Sequence, residues 1–211
     1  MAKAVKDADE AERPVIASLT RLHAAEAECT RCPLYKNATQ VVSGEGSVRA
    51  SLMLVGEQPG DKEDLAGKPF VGPAGRVLDD ALEDAGIARA DTFITNAVKH
   101  FKHEMRGKRR LHKKPNAYEI DRCRWWLDYE RSIVKPAAIV AMGVTAARGV
   151  FGKAVTITGM RGKAHTLPDG LAAFVTVHPS LLLRIPDKAD KEREYRRFVA
   201  DLKLAKASIG R

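Results

Sequence analysis

The chain has 211 residues, of which 45% are hydrophobic and 30% are charged, a composition typical of a globular domain and not of a disordered chain. Its formal net charge of +9 favours polyanionic partners, because each Lys or Arg placed on a phosphate releases a condensed counterion. The first dozen residues lack the apolar segment of a secretion signal, and the longest nearly apolar run, 137–147, is too short to span a bilayer, so we expect a cytoplasmic protein without a membrane partner.

The predicted helices and strands alternate along the chain. Apolar residues at helical spacing, with capping residues before them, indicate helices, and short apolar runs between them indicate buried strands. In chain order we predict a helix over 14–28, a strand over 52–55, a helix over 74–85, a strand over 92–95, a basic loop up to Pro115, a helix capped by Asn116 and Glu119 that holds Trp125, Trp126 and Leu127, strands over 137–141 and 173–177, and a helix over 188–207.

Strands that are separated by helices imply right-handed crossovers and a parallel sheet. We therefore predict an α/β protein with three layers, α/β/α, around a central, mainly parallel four-stranded sheet. We expect one domain over residues 1–211, with a flexible segment over 1–13.

Polar residues follow each predicted strand, at the edge of the sheet where such folds bind ligands. Each of them alone could be a turn residue or a helix cap, but together they predict a binding site. They are Gly56, Glu57, Gln58 and Asp61 after the first strand, Asn96 after the second, Gly143 after the third, and His178 and Ser180 after the fourth.

The basic residues are concentrated between 99 and 114, where Glu104 is the only acid. Such a local patch favours nucleic acid over a diffuse basic surface, although a solvated basic face is the alternative on charge alone.

The three cysteines are an odd number, which argues against a disulfide framework in a cytoplasmic protein. Cys29 and Cys32 form a C-x-x-C, a spacing that lets two thiolates reach one metal centre, although redox pairs share it. A metal site generally needs four ligands, so Cys123 and a histidine are the candidates for the other two.

Three strings of the sequence resemble the iron–sulfur uracil-DNA glycosylases: GEQPGDKEDLAGKPFVGPAGR at 56–76, TNAVKH at 95–100 and VHPS at 177–180. A fourth string, KRRLH at 108–112, is similar to the cross-linking subgroup called UdgX. The resemblance covers about residues 26–200, with the strings in the family's order. It implies the glycosylase fold and the excision of uracil from DNA.

The resemblance also implies a [4Fe–4S] cluster on Cys29, Cys32, His100 and Cys123. His100 stands where related glycosylases have a cysteine, and a neutral imidazole changes the charge of a cluster. His103 lies in the same segment and is the rival fourth ligand. Zinc would suit three cysteines and a histidine equally well on spacing alone, so only the resemblance favours iron and sulfur. The implied role of the cluster is structural.

Excision requires the base to leave the stack and to be held by its polar edge and its face. The Asn96 amide offers a donor and an acceptor to uracil O4 and N3, and Phe70 can stack on the base, although it could be a core aromatic. Gly56 and Gln58 complete the predicted uracil-binding set with His178. A hydrogen bond from His178 to O2 would stabilise the departing anion, although a lone histidine is more often structural.

The attacking group is expected to be His112. Gln58 stands where several glycosylases have an aspartate that orients water, and an amide cannot act as a base; Glu57 and Asp61 are the nearest carboxylates. The UdgX pattern implies that the His112 imidazole attacks the sugar cation while Glu57 holds the proton of the other nitrogen. Such a product has no easy leaving step, so turnover would stop. Spacing alone would favour an incidental histidine in a basic DNA-binding loop.

Several basic residues are expected to touch DNA phosphates, which positions the strand without reading its sequence. They are Lys108, Arg109, Arg110 and Arg184, and Ser180 belongs to the same set. A residue among 181–184 is expected to fill the gap left by the flipped base.

Three functions remain open at this point. The first is a self-cross-linking, single-turnover uracil-DNA glycosylase acting as a monomer on single-stranded or double-stranded DNA. The second is a glycosylase that turns over and releases uracil. The third is a non-catalytic iron–sulfur module that binds nucleic acid, which would need none of Glu57, Asn96 and His178.

Overall fold

The computed structural model describes residues 14–209, and the predicted flexible segment 1–13 lies outside them. The strands in this part of the chain are β1 (Glu45–Gly46), β2 (Leu52–Gly56), β3 (Thr92–Asn96), β4 (His103–Arg106), β5 (Arg109–His112), β6 (Ala138–Met142), β7 (His165–Thr166) and β8 (Ala172–Thr176). The helices are α1 (Leu19–Ala27), α2 (Asp61–Ala66), α3 (Pro73–Asp84), α4 (Ala117–Val134), α5 (Val144–Phe151), α6 (Ile157–Met160), α7 (Pro179–Leu182) and α8 (Lys188–Ile209), with short 3₁₀ turns at Pro33–Lys36 and Arg89–Asp91.

The central sheet has the strand order β1-β3-β2-β6-β8-β7. Its four inner strands are parallel to one another, and they are the four strands predicted from the sequence. The two outer strands pair antiparallel and have two residues each. The sheet therefore has six strands and not the predicted four, since strands of two residues are too short to show a periodicity.

Helices cover both faces of this sheet, which confirms the predicted three layers. On one face α3 and α8 bury Leu78, Leu82, Phe198 and Leu202 against the strands. On the other face α4 and α5 contribute Leu127 and small residues to a second core. Both faces of the inner strands are apolar because both are covered, which is the pattern of a parallel sheet.

Two predicted segments differ in the structure. The first helix begins at Leu19 and not near Pro14, because the Ser18 hydroxyl caps it by accepting the Arg21 backbone N–H. The predicted basic loop contains the hairpin β4–β5, in which His103 pairs with His112 and Arg106 with Arg109. Its side chains are mostly exposed, so no apolar alternation revealed it. We call this element the basic hairpin.

The sharp turn of the basic hairpin is made by Gly107, whose φ of 60° suits the first position of a two-residue hairpin turn. The predicted capping box at the start of α4 is confirmed by reciprocal hydrogen bonds between Asn116 and Glu119. Within residues 14–209, none of the helices combines the length and the apolar character that crossing a bilayer requires.

Candidate active site

A cavity of about 800 Å³ opens beyond the carboxyl ends of the inner strands. It brings together most of the side chains that the sequence predicted for the site, from segments far apart in the chain. The predicted residues that line it are Glu57, Gln58, Asp61, Phe70, Asn96, His112, His178, Ser180 and Arg184.

The imidazole of His112 and the carboxylate of Glu57 form a direct pair, with Nε2 3.1 Å from Oε1. The other oxygen of Glu57 accepts a hydrogen bond of 2.7 Å from the Thr145 hydroxyl. Burial raises the pKa of Glu57, but the hydrogen bonds from His112 and Thr145 outweigh it and hold the pKa below its ordinary value. Since an ionised carboxylate only accepts hydrogen bonds, the Nε2–H of His112 is the donor in this pair.

His178 is the N-cap residue of the short helix α7, and it lines the cavity. Its Nδ1 lies 3.2 Å from the backbone N–H of Ser180 and 2.9 Å from the Ser180 hydroxyl. Burial lowers the pKa of His178 to about 4, so the ring is neutral near pH 7. Because Nδ1 accepts the Ser180 N–H, the ring proton lies on Nε2, which is left as a donor.

Asn96 is the last residue of β3 and is 2% exposed. Its Oδ1 is buried, and no hydrogen-bond partner is found for it in the described part of the chain. Buried polar atoms normally have partners, so an orphaned acceptor in a cavity wall points to a group that a ligand satisfies.

Phe70 lies beside the same wall, where its ring stacks on that of His178 with 5.9 Å between centroids and 30° between planes. Its backbone is left-handed, with a φ of 56°, which is uncommon for a residue with a Cβ. Gly75 of α3 lies against this backbone: a Cβ there would meet the Phe70 carbonyl oxygen at 1.8 Å. The close approach of α3 therefore holds the strained residue in place.

Gly56 ends β2 and is paired with Asn96 of β3 in the sheet. A Cβ on Gly56 would come 2.4 Å from Asn96 Oδ1 and 2.5 Å from Phe70 Cζ. The predicted role of Gly56 in base binding is thus an indirect one, since the absence of a side chain leaves room for the two residues that face the cavity.

Replacing Gly56 by alanine should displace both of these side chains while the sheet still forms. We expect the single-turnover rate of the base excision predicted from the sequence to fall by about tenfold or more, because shifts near 1 Å cost this much in well-oriented sites. A gel assay of base release, with thermal unfolding as the folding check, measures the effect. Gly159→Ala is the control, since its Cβ would meet only the Thr156 hydroxyl oxygen, at 3.0 Å and outside the cavity. Equal rates for the two variants would contradict this role of Gly56.

Gln58 lies in the wall of the cavity, but its amide is bonded elsewhere. Its Nε2 donates to the carbonyl oxygens of Lys102 and Lys113, at 3.2 and 3.0 Å, and its Oε1 accepts the Lys102 N–H at 3.0 Å. These bonds join the residues that flank the basic hairpin to the segment after β2. Both N–H donors of the Gln58 amide are used in these bonds, and its predicted contact with the base or with the reacting atoms stays a prediction.

Arg110 was predicted to touch phosphate, and the structure places it differently. Its guanidinium bonds Asp61 and Asp64, each at 2.5 Å, and the Thr39 hydroxyl at 2.9 Å. It thereby ties the basic hairpin to α2. Asp61, predicted among the catalytic residues, is the partner of this arginine and is not a free base. A guanidinium that is already paired with two carboxylates is a poor phosphate ligand.

Of the remaining predicted DNA contacts, Lys108, Arg109 and Arg184 are exposed, whereas Ser180 is half-buried. Lys108 and Arg109 lie on the basic hairpin outside the cavity, and Arg184 lines the cavity next to Leu183. Among the residues that could fill a gap in the base stack, Leu182 is excluded because it is buried, whereas Leu183 is 46% exposed. Sequence reasoning did not single out Thr145, Gly75 or Lys114; a threonine after a strand and a glycine in a helix carry no distinctive signal.

Cys32 and Cys123 lie in one buried cluster between α1 and α4, and the partly buried Cys29 packs against it. Two N–H groups point at their sulfurs: Trp126 Nε1 donates to Cys29 at 3.1 Å, and the Lys99 backbone N–H donates to Cys123 at 3.2 Å. Such donors are typical around thiolate ligands. Burial raises the pKa of Cys32 and Cys123, so thiolates at this place require a compensating positive centre.

His100 follows Lys99 directly and is 6% exposed. Burial lowers the pKa of His100, which keeps the imidazole in the neutral form that binds metals. Within residues 14–209, no three His, Cys, Asp or Glu side chains are arranged to hold a single metal ion. His100 stays the predicted fourth member of the donor set, beside Cys29, Cys32 and Cys123.

Comparison with known proteins identifies the family of this chain. The family described as "Uracil DNA glycosylase superfamily" matches residues 43–203. A type-4 uracil-DNA glycosylase of Thermotoga maritima is 40% identical over 184 residues, which is 86% of this chain and 90% of the relative. A type-4 uracil-DNA glycosylase of Pyrobaculum aerophilum is 36% identical over 178 residues, 80% of this chain and 86% of the relative. The resemblance noted in the sequence to the uracil-DNA glycosylases is thereby confirmed.

Proposed function

This chain belongs to the uracil DNA glycosylase superfamily, and on that premise we propose that it excises uracil from DNA and is then captured on the abasic sugar through His112. The observation that carries the second part is the pair formed by His112 and Glu57 in the wall of the cavity, with 3.1 Å between Nε2 and Oε1. A carboxylate that fixes the tautomer of a neutral imidazole is the arrangement that a nucleophilic histidine requires.

Base recognition is assigned to Asn96 and Phe70. The unpartnered Oδ1 of Asn96 accepts the N3–H of uracil, and the amide N–H donates to O4. Cytosine presents an unprotonated N3 and an amino group at these positions, so it would leave Asn96 with mismatched pairs. The ring of Phe70 offers an apolar face on which the flipped base stacks.

Departure of the base is assigned to His178. When the C1′–N1 bond breaks, its electron pair leaves with uracil, and negative charge develops on N1, O2 and O4. The Nε2 proton of His178 donates to O2, because Nδ1 is held by Ser180.

Capture of the sugar completes the reaction. Bond breaking leaves positive charge on C1′ and its ring oxygen, and the bare nitrogen of His112 donates its lone pair to C1′, forming a C–N bond. The resulting imidazolium keeps its proton in the hydrogen bond to Glu57, whose negative charge stabilises it. The uracil anion takes its proton from water on release. The product is an alkylated imidazolium without an easy leaving group, so each molecule reacts once.

The cofactor that we propose is a [4Fe–4S] cluster on Cys29, Cys32, Cys123 and His100, with a structural role. Burial favours His100 over His103, which lies half-buried in the basic hairpin and stacks on Phe101. These four residues tie the segment after α1 to α4 and to the segment after β3, whose end carries Asn96.

The DNA strand is expected to cross the rim, with phosphates on Lys108, Arg109 and Arg184. Leu183 is proposed to fill the gap in the stack, because it is apolar, exposed and next to the cavity. The surplus of positive charge, +9, supports a strong dependence of binding on salt.

The first experiment mixes the protein with a labelled single strand that contains one uracil and resolves the products on a denaturing gel. We expect a band at the mass of protein plus DNA that survives heat and detergent, with yield limited to one strand per protein molecule. A strand with thymine in place of uracil is the control. Alkali-labile abasic strands without a covalent band would contradict the capture step and favour a glycosylase that turns over. Binding without either product would leave only a nucleic-acid-binding module.

A further inference from the structure

Lys99 is a fully buried charged residue that the chemistry above does not use. The three N–H donors of its ammonium group all have acceptors: the Glu130 carboxylate at 2.7 Å, the backbone carbonyl oxygen of Asn96 at 3.0 Å and the Thr95 hydroxyl. Glu130 is equally buried, and its other oxygen accepts from Thr95 and from the Gly44 backbone N–H. The ammonium group is therefore fixed in position from three sides.

The side chain of Asn96 has no comparable support. Its Oδ1 has no partner within the described residues, so the direction in which the amide faces the cavity depends on the backbone. On one side that backbone is held by β2, whose Gly56 carbonyl accepts the Ala97 N–H at 2.9 Å. Lys99 is the residue whose side chain bonds the Asn96 carbonyl itself.

The backbone of Lys99 is held as well, because its backbone N–H donates a hydrogen bond to Cys123 Sγ. One residue thus contacts the cysteine cluster through its backbone and the end of β3 through its side chain. Burying an ion pair costs desolvation that apolar residues of similar size would avoid. The burial of Lys99 is therefore better explained by the position in which it holds the Asn96 backbone than by a gain in folding stability.

We propose that Lys99 is a positioning residue for base recognition, which acts through the backbone of Asn96 and is itself held by Glu130. This inference rests on the proposed function, in which Asn96 reads the edge of uracil. It predicts that removing the ammonium group weakens the binding of the base and leaves the binding of the DNA backbone intact.

The test is the double variant Lys99→Met with Glu130→Gln, which removes both charges of the pair together and so leaves neither partner unpaired. Two single strands are used as probes, one with 2′-fluoroarabino-uridine, which resists cleavage, and one with a tetrahydrofuran abasic analogue. We expect affinity for the uridine strand to fall by about tenfold and affinity for the abasic strand to stay within about twofold. The same variant made in an Asn96→Ala background should lose nothing further, because the effect passes through Asn96.

Arg131→Met is the matched control, since Arg131 lies beside Glu130 on α4 and forms partly buried ion pairs with Asp128 and Asp169 outside the cavity. It should change neither affinity. Lys99→Arg keeps the charge pair but replaces the three-donor ammonium by a planar group. It should lose affinity for the uridine strand alone, as the double variant does. This single variant replaces the double variant in the test if the double variant does not fold.

Three outcomes overturn the inference. Equal losses for both strands, or a full loss that persists in the Asn96→Ala background, would show that Lys99 supports the fold and not the reading of the base. A wild-type protein that binds the two strands equally would refute base recognition by Asn96, and the inference with it. The covalent band of the gel experiment is independent of both results.

Discussion

Replacing His112 by serine should abolish the covalent product and expose ordinary uracil release. The variant keeps Glu57, Asn96 and His178, so the base is still held and still leaves. Serine is smaller than histidine, and water can enter the vacated space beside Glu57, which then accepts a proton from the attacking water. We expect the covalent band to fall by at least about a hundredfold and alkali-labile abasic strands to appear with multiple turnovers.

The basic hairpin offers a matched control for this variant. His103 pairs with His112 across the two strands but does not line the cavity, so His103→Ser removes the same side chain from the same element. Its covalent yield should equal that of the wild type. Cross-linking that persists in His112→Ser would show that another group attacks C1′, and mass spectrometry of the digested conjugate would locate it.

Strong local patterns in the sequence made two features predictable. One is the set of inner strands, and the other is the meeting of the site residues at one edge of the sheet. Runs such as 52–55 and 137–141 are apolar without interruption, as strands covered on both faces must be. Polar residues after such strands meet at one edge of a parallel sheet. For that reason Glu57, Asn96 and His178 were expected together, and the cavity contains all three.

The basic hairpin could not be predicted, because its strands are polar on both faces and are held by contacts distant in sequence. Gln58 bonds the residues that flank it, and Arg110 reaches Asp64, which is 46 residues away in the chain. Its charge alone made Arg110 a candidate phosphate ligand. Only the fold shows that it already forms ion pairs with Asp61 and Asp64. The same limit applies to Gln58, whose residue type gave no indication that its amide is used by backbone groups.

The buried network of Lys99 illustrates a second limit. A lysine in a basic segment is expected on the surface, whereas Lys99 is fully buried because Glu130, from a helix that follows in the chain, neutralises it. Pairings between distant residues depend on how α4 packs against the sheet. The spacing of apolar residues along the sequence does not reveal this packing.

Replacing His178 by alanine should slow excision by about 10² to 10³, the range found when one donor to a developing anion is removed. The loss should affect release of the base and covalent capture equally, because both require the C1′–N1 bond to break first. Affinity for the uncleavable uridine strand should change far less, since the donor to O2 gains strength only as charge develops. Single-turnover rates and binding measured on the same preparations separate these effects.

The protonation state of His178 gives this prediction a second test. Burial lowers the pKa of the ring to about 4, below the value near 6.5 of an exposed histidine. The wild-type rate should therefore show no titration of His178 between about pH 5.5 and 8. His178→Gln, which restores an N–H donor of similar reach, should recover part of the rate lost in the alanine variant. A glutamine variant as slow as alanine, together with a wild-type rate that titrates near pH 6.5, would mean that His178 acts through its charge and not as a neutral donor.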